Sequence, residues 1–197
     1  MIARRKAAGT LEVHAQGVPA HSGSAPHRGR SALLALATVA QGIAAASDPA
    51  GPDRLTAVPT IMRSGEAFNV VPPEGRLVCD LRADELDAFQ PVLAAVPDEL
   101  NDVRIDSRLV RAWPGMDTRE RTGSTIEGAA ERLGRPLVAS ERGGASDASH
   151  IAQAVPLTLD GLGPRGGGAH TPNEWVNVPS LRSRAEVALA VVATLLG

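Results

Sequence analysis

Leu11, Val13 and Ala15 alternate with Glu12, His14 and Gln16, the two-residue period of a strand with one buried face, and Gly17-Val18-Pro19 ends the run. Residues 28–46 carry no proline and are dense in Ala and Leu. Leu33, Leu36, Ala37 and Ala40 are spaced to share one helical face, and Asp48-Pro49 stops the pattern. Residues 56–63 and 76–82 have strand character and are separated by segments rich in turn residues, Ser64-Gly65-Glu66 and Val71-Pro72-Pro73-Glu74-Gly75. Asp84 opens a second helix to about Ala95, and residues 103–112 alternate again, Val103, Ile105 and Leu109 against Arg104, Asp106 and Arg108.

The resulting order, strand-helix-strand-strand-helix-strand, predicts an α+β unit of the ferredoxin-like kind: a four-stranded antiparallel sheet with two helices on one face. It closes near Pro114, which places a first domain at residues 1–114 and a second at residues 115–197. In the second, residues 124–133, 147–154 and 179–196 are helical in pattern, and 136–139 and 155–159 are short apolar strands. Two such strands cannot cover both faces of a parallel sheet, so this α/β part is expected to be incomplete by itself.

Composition narrows the function. The net charge of −2 is spread over both signs and aromatics make up only 2%, so neither a phosphate-binding patch nor a set of base-stacking platforms is available. Nucleic-acid binding is not expected. Cys79 is the only cysteine, which excludes an internal disulfide and a cysteine-rich zinc site. The basic start Met1-Ile2-Ala3-Arg4-Arg5-Lys6 leads into polar-apolar alternation, with no apolar run of signal-peptide or membrane-spanning length. A soluble cytoplasmic protein is expected.

Candidate chemistry sits on loops. The stretch from Asp160 through Gly161-Leu162-Gly163-Pro164 to Gly168-Ala169-His170-Thr171 and Glu174 places an imidazole on a glycine-rich loop after an apolar run. Residues 161–166 match the dinucleotide fingerprint formally, but Pro164 interrupts the turn and no helix follows, so a dinucleotide is not expected. Gly143-Gly144-Ala145-Ser146-Asp147 precedes a short helix. Ser146 or Asp147 is placed to cap it, and the same amides are suited to holding a carboxylate or an oxyanion. Asn69 and Arg82 offer an amide and a guanidinium, which together suit a terminal carboxylate.

These pieces in this order, with Gly17-Val18-Pro19-Ala20-His21-Ser22-Gly23, Gly29-Arg30-Ser31-Ala32, Phe68-Asn69-Val70-Val71-Pro72 and Asp80-Leu81-Arg82, resemble one metallopeptidase family. It is the co-catalytic zinc family of glutamate carboxypeptidases, acetylornithine deacetylase, succinyl-diaminopimelate desuccinylase and aminoacylases. The resemblance runs nearly end to end. It implies that the first domain is a dimerisation or lid domain and the second the C-terminal portion of a two-zinc catalytic domain. It implies further that His170 is a zinc ligand and that His21 stabilises the oxyanion in the partner protomer of a homodimer. Asn69 and Arg82 would bind the substrate carboxylate, and Gly144 and Ser146 would line the pocket.

The implied reaction is hydrolysis of an amide next to a free carboxylate. The family's upstream half, with its His-x-Asp motif, bridging aspartate and Glu-Glu pair, has no counterpart: no histidine here is followed two residues later by aspartate, and Asp84-Glu85 and Asp98-Glu99 fall near the lid's second helix. One imidazole does not make a hydrolytic zinc site. Two expectations follow, an enzyme part needing a separately supplied N-terminal catalytic half, or a non-catalytic dimerisation module.

Overall fold

The computed structural model describes residues 1–197. In chain order the elements are β1 (Ile2–Arg5), β2 (Ala7–Gln16), α1 (Ala32–Ala45), β3 (Thr56–Ser64), β4 (Glu74–Ala83), α2 (Gln90–Ala94), β5 (Glu99–Leu100), β6 (Val103–Trp113) and β7 (Met116–Asp117). Then come α3 (Arg119–Leu133), β8 (Ser140–Arg142), α4 (Ala148–Ile151), β9 (Gly166–Gly167), β10 (Trp175–Val176) and α5 (Ser180–Leu196). They form a mixed α/β protein of two compact units, residues 6–115 and residues 1–5 with 116–197.

In the first unit the sheet order is β3-β4-β2-β6-β5, antiparallel throughout. The alternation along β2 and β4 puts Leu11, Val13, Leu77, Cys79 and Leu81 on one face, all fully buried. α1 covers that face with Ala32, Ala35, Leu36, Val39 and Ile43, and Phe89 and Val92 complete the core. Ser31 starts α1 by accepting a hydrogen bond from the Leu34 amide at 3.3 Å. Burial pushes the Cys79 thiol up to about 11, as befits a small apolar core residue. The opposite face is polar: Glu12 pairs with Arg76 and lies 3.5 Å from His14.

The structure of this unit departs from the sequence pattern at three points. The sheet has five strands, because the two residues of β5 add to β6. α2 is five residues long and preceded by a 3-10 turn, since Pro91 suits only a first helical turn. Leu33 points to solvent, and the buried face of α1 runs through Ala35 and Val39 instead.

In the second unit β1 is the middle strand of β7-β1-β8, antiparallel to β7 and parallel to β8. α3 packs on α5 over Ala129, Ala190 and Val191, with Leu133, Leu137 and Leu159 at the margin. The helices approach closely at Gly128, where a Cβ would stand 2.6 Å from Thr194 Cγ2. Gly134 ends α3 in the left-handed conformation, φ 61°. The strand expected at 136–139 is displaced to β8. Residues 155–159 form no strand: Pro156 has no amide to give a ladder, and Thr158 Oγ1 donates back to the Val155 carbonyl at 2.7 Å.

Candidate active site

The candidate residues fall in two groups, one in each unit. In the first unit, His21 and Asn69 are brought together by two loops that run side by side. Val18 and Arg30 form a bridge, His21 pairs with Val70, the Ser22 amide donates to the Asn69 carbonyl at 2.9 Å, and the Val71 amide donates to the Ala20 carbonyl at 2.8 Å. His21 Nδ1 accepts from the amides of Gly23 at 3.1 Å and Ser24 at 3.3 Å. A ring whose Nδ1 accepts carries its neutral-state proton on Nε2, so the exposed Nε2–H is left as a directed donor. Phe68, beside Asn69, is fully exposed at the tip of the same loop.

Arg82 does not join this pair. It lies near the far end of β4, and eight residues of strand at ~3.3 Å each set it roughly 26 Å from Glu74, where the Asn69 loop enters the sheet. Its guanidinium is held fork to fork by Asp80, both bonds at 2.9 Å, through Nε and Nη2.

In the second unit Asp160 ties the remaining candidates together. Its carboxylate receives Arg5 Nε at 2.5 Å, the Gly161 amide at 2.5 Å and the Ser146 side chain. Arg5 Nη1 also donates to the Gly144 carbonyl at 2.6 Å. Burial pushes the Asp160 carboxyl up, but the Ser146, Gly161 and Arg5 hydrogen bonds outweigh it and hold the group below the usual aspartate value. Gly144, Ser146 and the root of the His170 loop thus share one anchor. Arg184 adds a second, donating to the Gly161 carbonyl and, at 2.9 Å, to that of Gly163.

Ser146 Oγ, not Asp147, accepts from the first turn of α4, from the Ala148 amide at 3.3 Å. The glycine-rich residues 161–166 lead into β9 and not into a helix. His170 stands in the turn between β9 and β10, exposed, in the left-handed conformation with φ 64°. Thr171 braces that turn through its amide and Oγ1, both donating to the Gly168 carbonyl. A non-glycine residue is strained there, by ~1–3 kcal/mol. No three His, Cys, Asp or Glu side chains converge anywhere in the chain, so these residues do not by themselves fit a zinc ion.

Residues 3–107 match the model of the peptidase dimerisation domain of the M20 family. The chain belongs to the M20 peptidase family. Carboxypeptidase G2 of Pseudomonas sp. is 23% identical over 94% of this chain. A Haemophilus influenzae homolog of one component of p-aminobenzoyl-glutamate hydrolase is 37% identical over 75 residues, 38% of this chain and 17% of its own. The solved aminopeptidase PepT of Bacillus cereus superposes over the whole chain with a TM-score of 0.80 at 20% identity, which establishes the shared fold.

The chain spans about half the length of carboxypeptidase G2, 46%, and of the PepT chain, 54%. M20 peptidases are hydrolases, generally zinc-dependent, and their dimerisation domains imply oligomers in the family. No helix of this chain is long and apolar enough to cross a membrane.

Sequence reasoning found His21, Asn69, Gly144, Ser146 and His170 as separate motifs. It missed Arg5, read only as part of a basic start. No local signal marks it, since its partner is 155 positions away.

Proposed function

We propose that this M20 chain is the lid and C-terminal part of a zinc-dependent amidohydrolase or carboxypeptidase that cleaves an amide beside a free carboxylate. The observation that carries the reading is His21: two backbone amides occupy Nδ1, leaving Nε2–H as an exposed donor on a loop whose backbone is paired with that of Asn69. A fixed N–H aimed at developing negative charge is what a tetrahedral oxyanion requires, because it needs no reorganisation as charge forms. Arg82 is too far along β4 to meet the same small substrate in one protomer, which supports a site shared between two copies. In that arrangement His21 and Asn69 come from one copy and Arg82 from the other. Nη1 of Arg82, outside the Asp80 fork, takes the carboxylate.

The second copy pairs along β3, the edge strand on the α1 side of the sheet. β3 exposes Val58, Ile61 and Met62, and α1, packed against it, exposes Leu33 and Leu34. Gly144 and Ser146 line the substrate pocket, and His170 is one zinc ligand. The other ligands and the general base come from a segment outside these 197 residues, on the same or a separate polypeptide. α5 supports such a segment: Leu181, Leu189, Val192 and Leu196 form an exposed apolar stripe opposite its buried face.

Co-expression with the N-terminal catalytic segment of an M20 relative, in zinc, tests the reading. N-acyl amino acids should be hydrolysed, and His170→Ala should abolish turnover. The alternative, a non-catalytic dimerisation module, is favoured by the lack of converging metal ligands. A folded complex with no turnover would establish it.

A further inference from the structure

Where the polar face of the first unit's sheet meets the loop between β3 and β4 lies a cavity of about 630 Å³, lined by Arg63, Glu66, Val70, Pro72, Glu74 and Arg76 among others. None of His21, Asn69 and Arg82 lines it, so the groups proposed to hold the substrate are not involved. Strand register orders its charges in two rows. Arg63 on β3 stands directly opposite Arg76 on β4, and Arg76 directly opposite His14 on β2. Glu74 precedes Arg76 by two residues on the same face, roughly 7 Å along the strand.

Like charges directly opposite one another are unfavourable. Glu12 neutralises only part of the cationic row: it pairs with Arg76 and lies 3.5 Å from His14, while the Arg63 guanidinium makes no ion pair or hydrogen bond. The Glu66 and Glu74 carboxylates are equally without a partner. A free cationic row and free carboxylates thus line one cavity, with apolar Val70, Pro72 and Pro73 beside them. A simple anion there would meet Glu66 and Glu74, and a simple cation would meet Arg63. A ligand that carries both charges a few bonds apart satisfies both.

We infer that this cavity is a regulatory site for a free apolar α-amino acid. The ligand's carboxylate pairs with Arg63 and with the part of the Arg76 fork that Glu12 leaves open, its ammonium donates to Glu74 and Glu66, and its side chain packs on Val70 and Pro72. An adjacent ammonium and carboxylate, with one hydrogen bond of ~2.9 Å at either end, spans rows spaced as these are. Occupation braces residues 64–76, the segment that carries Asn69 and is tied to the His21 loop through Ser22 and Val71. Every group used is on this chain, so binding requires neither zinc nor turnover.

The test is a titration of the 15N-labelled chain with L-leucine, L-leucinamide and isocaproate, following the backbone amides of Gly65, Ala67, Val70 and Gly75. Leucine should give a saturable shift and bind at least about tenfold more tightly than either analogue, the scale of one charge-assisted hydrogen bond. Arg63→Gln should bring the preference over leucinamide near unity, and Glu66→Gln combined with Glu74→Gln the preference over isocaproate. In the wild type the response should extend to the Gly23 and Ser24 amides that hold His21. No saturable shift, equal affinity for the three compounds, preferences that survive the substitutions, or a response that stops short of residues 20–24 would overturn the assignment. Because no turnover is read, a failed hydrolysis assay with an intact leucine response sinks the proposed reaction and leaves this site, and hydrolysis without any leucine response does the opposite.

Discussion

Arg5 Nε and Asp160 Oδ2 lie 2.5 Å apart across 155 residues of sequence. The pair is largely shielded, with side-chain exposures of 13% and 21%, and through Gly144 and Ser146 it fixes two loops that carry candidate site residues.

Asp160→Asn should therefore destabilise the second unit by about 1–3 kcal/mol, the scale of hydrogen bonds to a charged group. The wild-type contribution is also pH-dependent. The folded carboxyl titrates below its unfolded value, so the contribution is complete above about pH 4 and is lost as pH falls through the lower folded value. Urea unfolding at neutral and acidic pH checks both points: the gap between wild type and Asp160→Asn should close in acid.

Gly17 positions the His21 loop by having no side chain. A Cβ there would fall 2.0 Å from the Arg30 carbonyl oxygen, a backbone atom that accepts the Val18 amide. Gly17→Ala should cost about 1–3 kcal/mol by forcing the strands apart. Gly42, inside α1 with nothing within 4 Å, supplies the opposite sign: Gly42→Ala should stabilise by about 0.5–1 kcal/mol. Thermal unfolding of the two variants reads the contrast.

The β2 alternation was legible because a two-residue period against one helix leaves no choice of face; Leu11, Val13 and Ala15 are buried as their spacing predicts. The phase of α1 was less so. Alanine is abundant on every side of that helix, and the pattern does not distinguish Leu33, which is exposed, from Ala35, which is buried. His21 and Asn69 were each visible as motifs, but their meeting depends on the loop pairing of residues 17–32 with 69–73, a tertiary fact. The Nδ1 contacts that set the tautomer of His21 are local but are made by backbone amides, which carry no side-chain signature.

Self-association through β3 and α1 is expected to depend on Leu34, 68% exposed on the outer side of α1. Leu34→Glu places a charge in that contact and should convert the species seen by light scattering from dimer to monomer with unchanged circular dichroism. An unaltered dimer would place the interface elsewhere.

The central claim is that His21 presents its Nε2–H to a developing oxyanion in a neighbouring protomer's site. Turnover of an N-acyl amino acid by the co-expressed, zinc-loaded assembly, compared between wild type and His21→Ala, tests it most directly. In His21→Ala, kcat should fall ~10²- to 10³-fold, the cost of losing one such donor, with the dimer intact. Unchanged kcat in His21→Ala would contradict it.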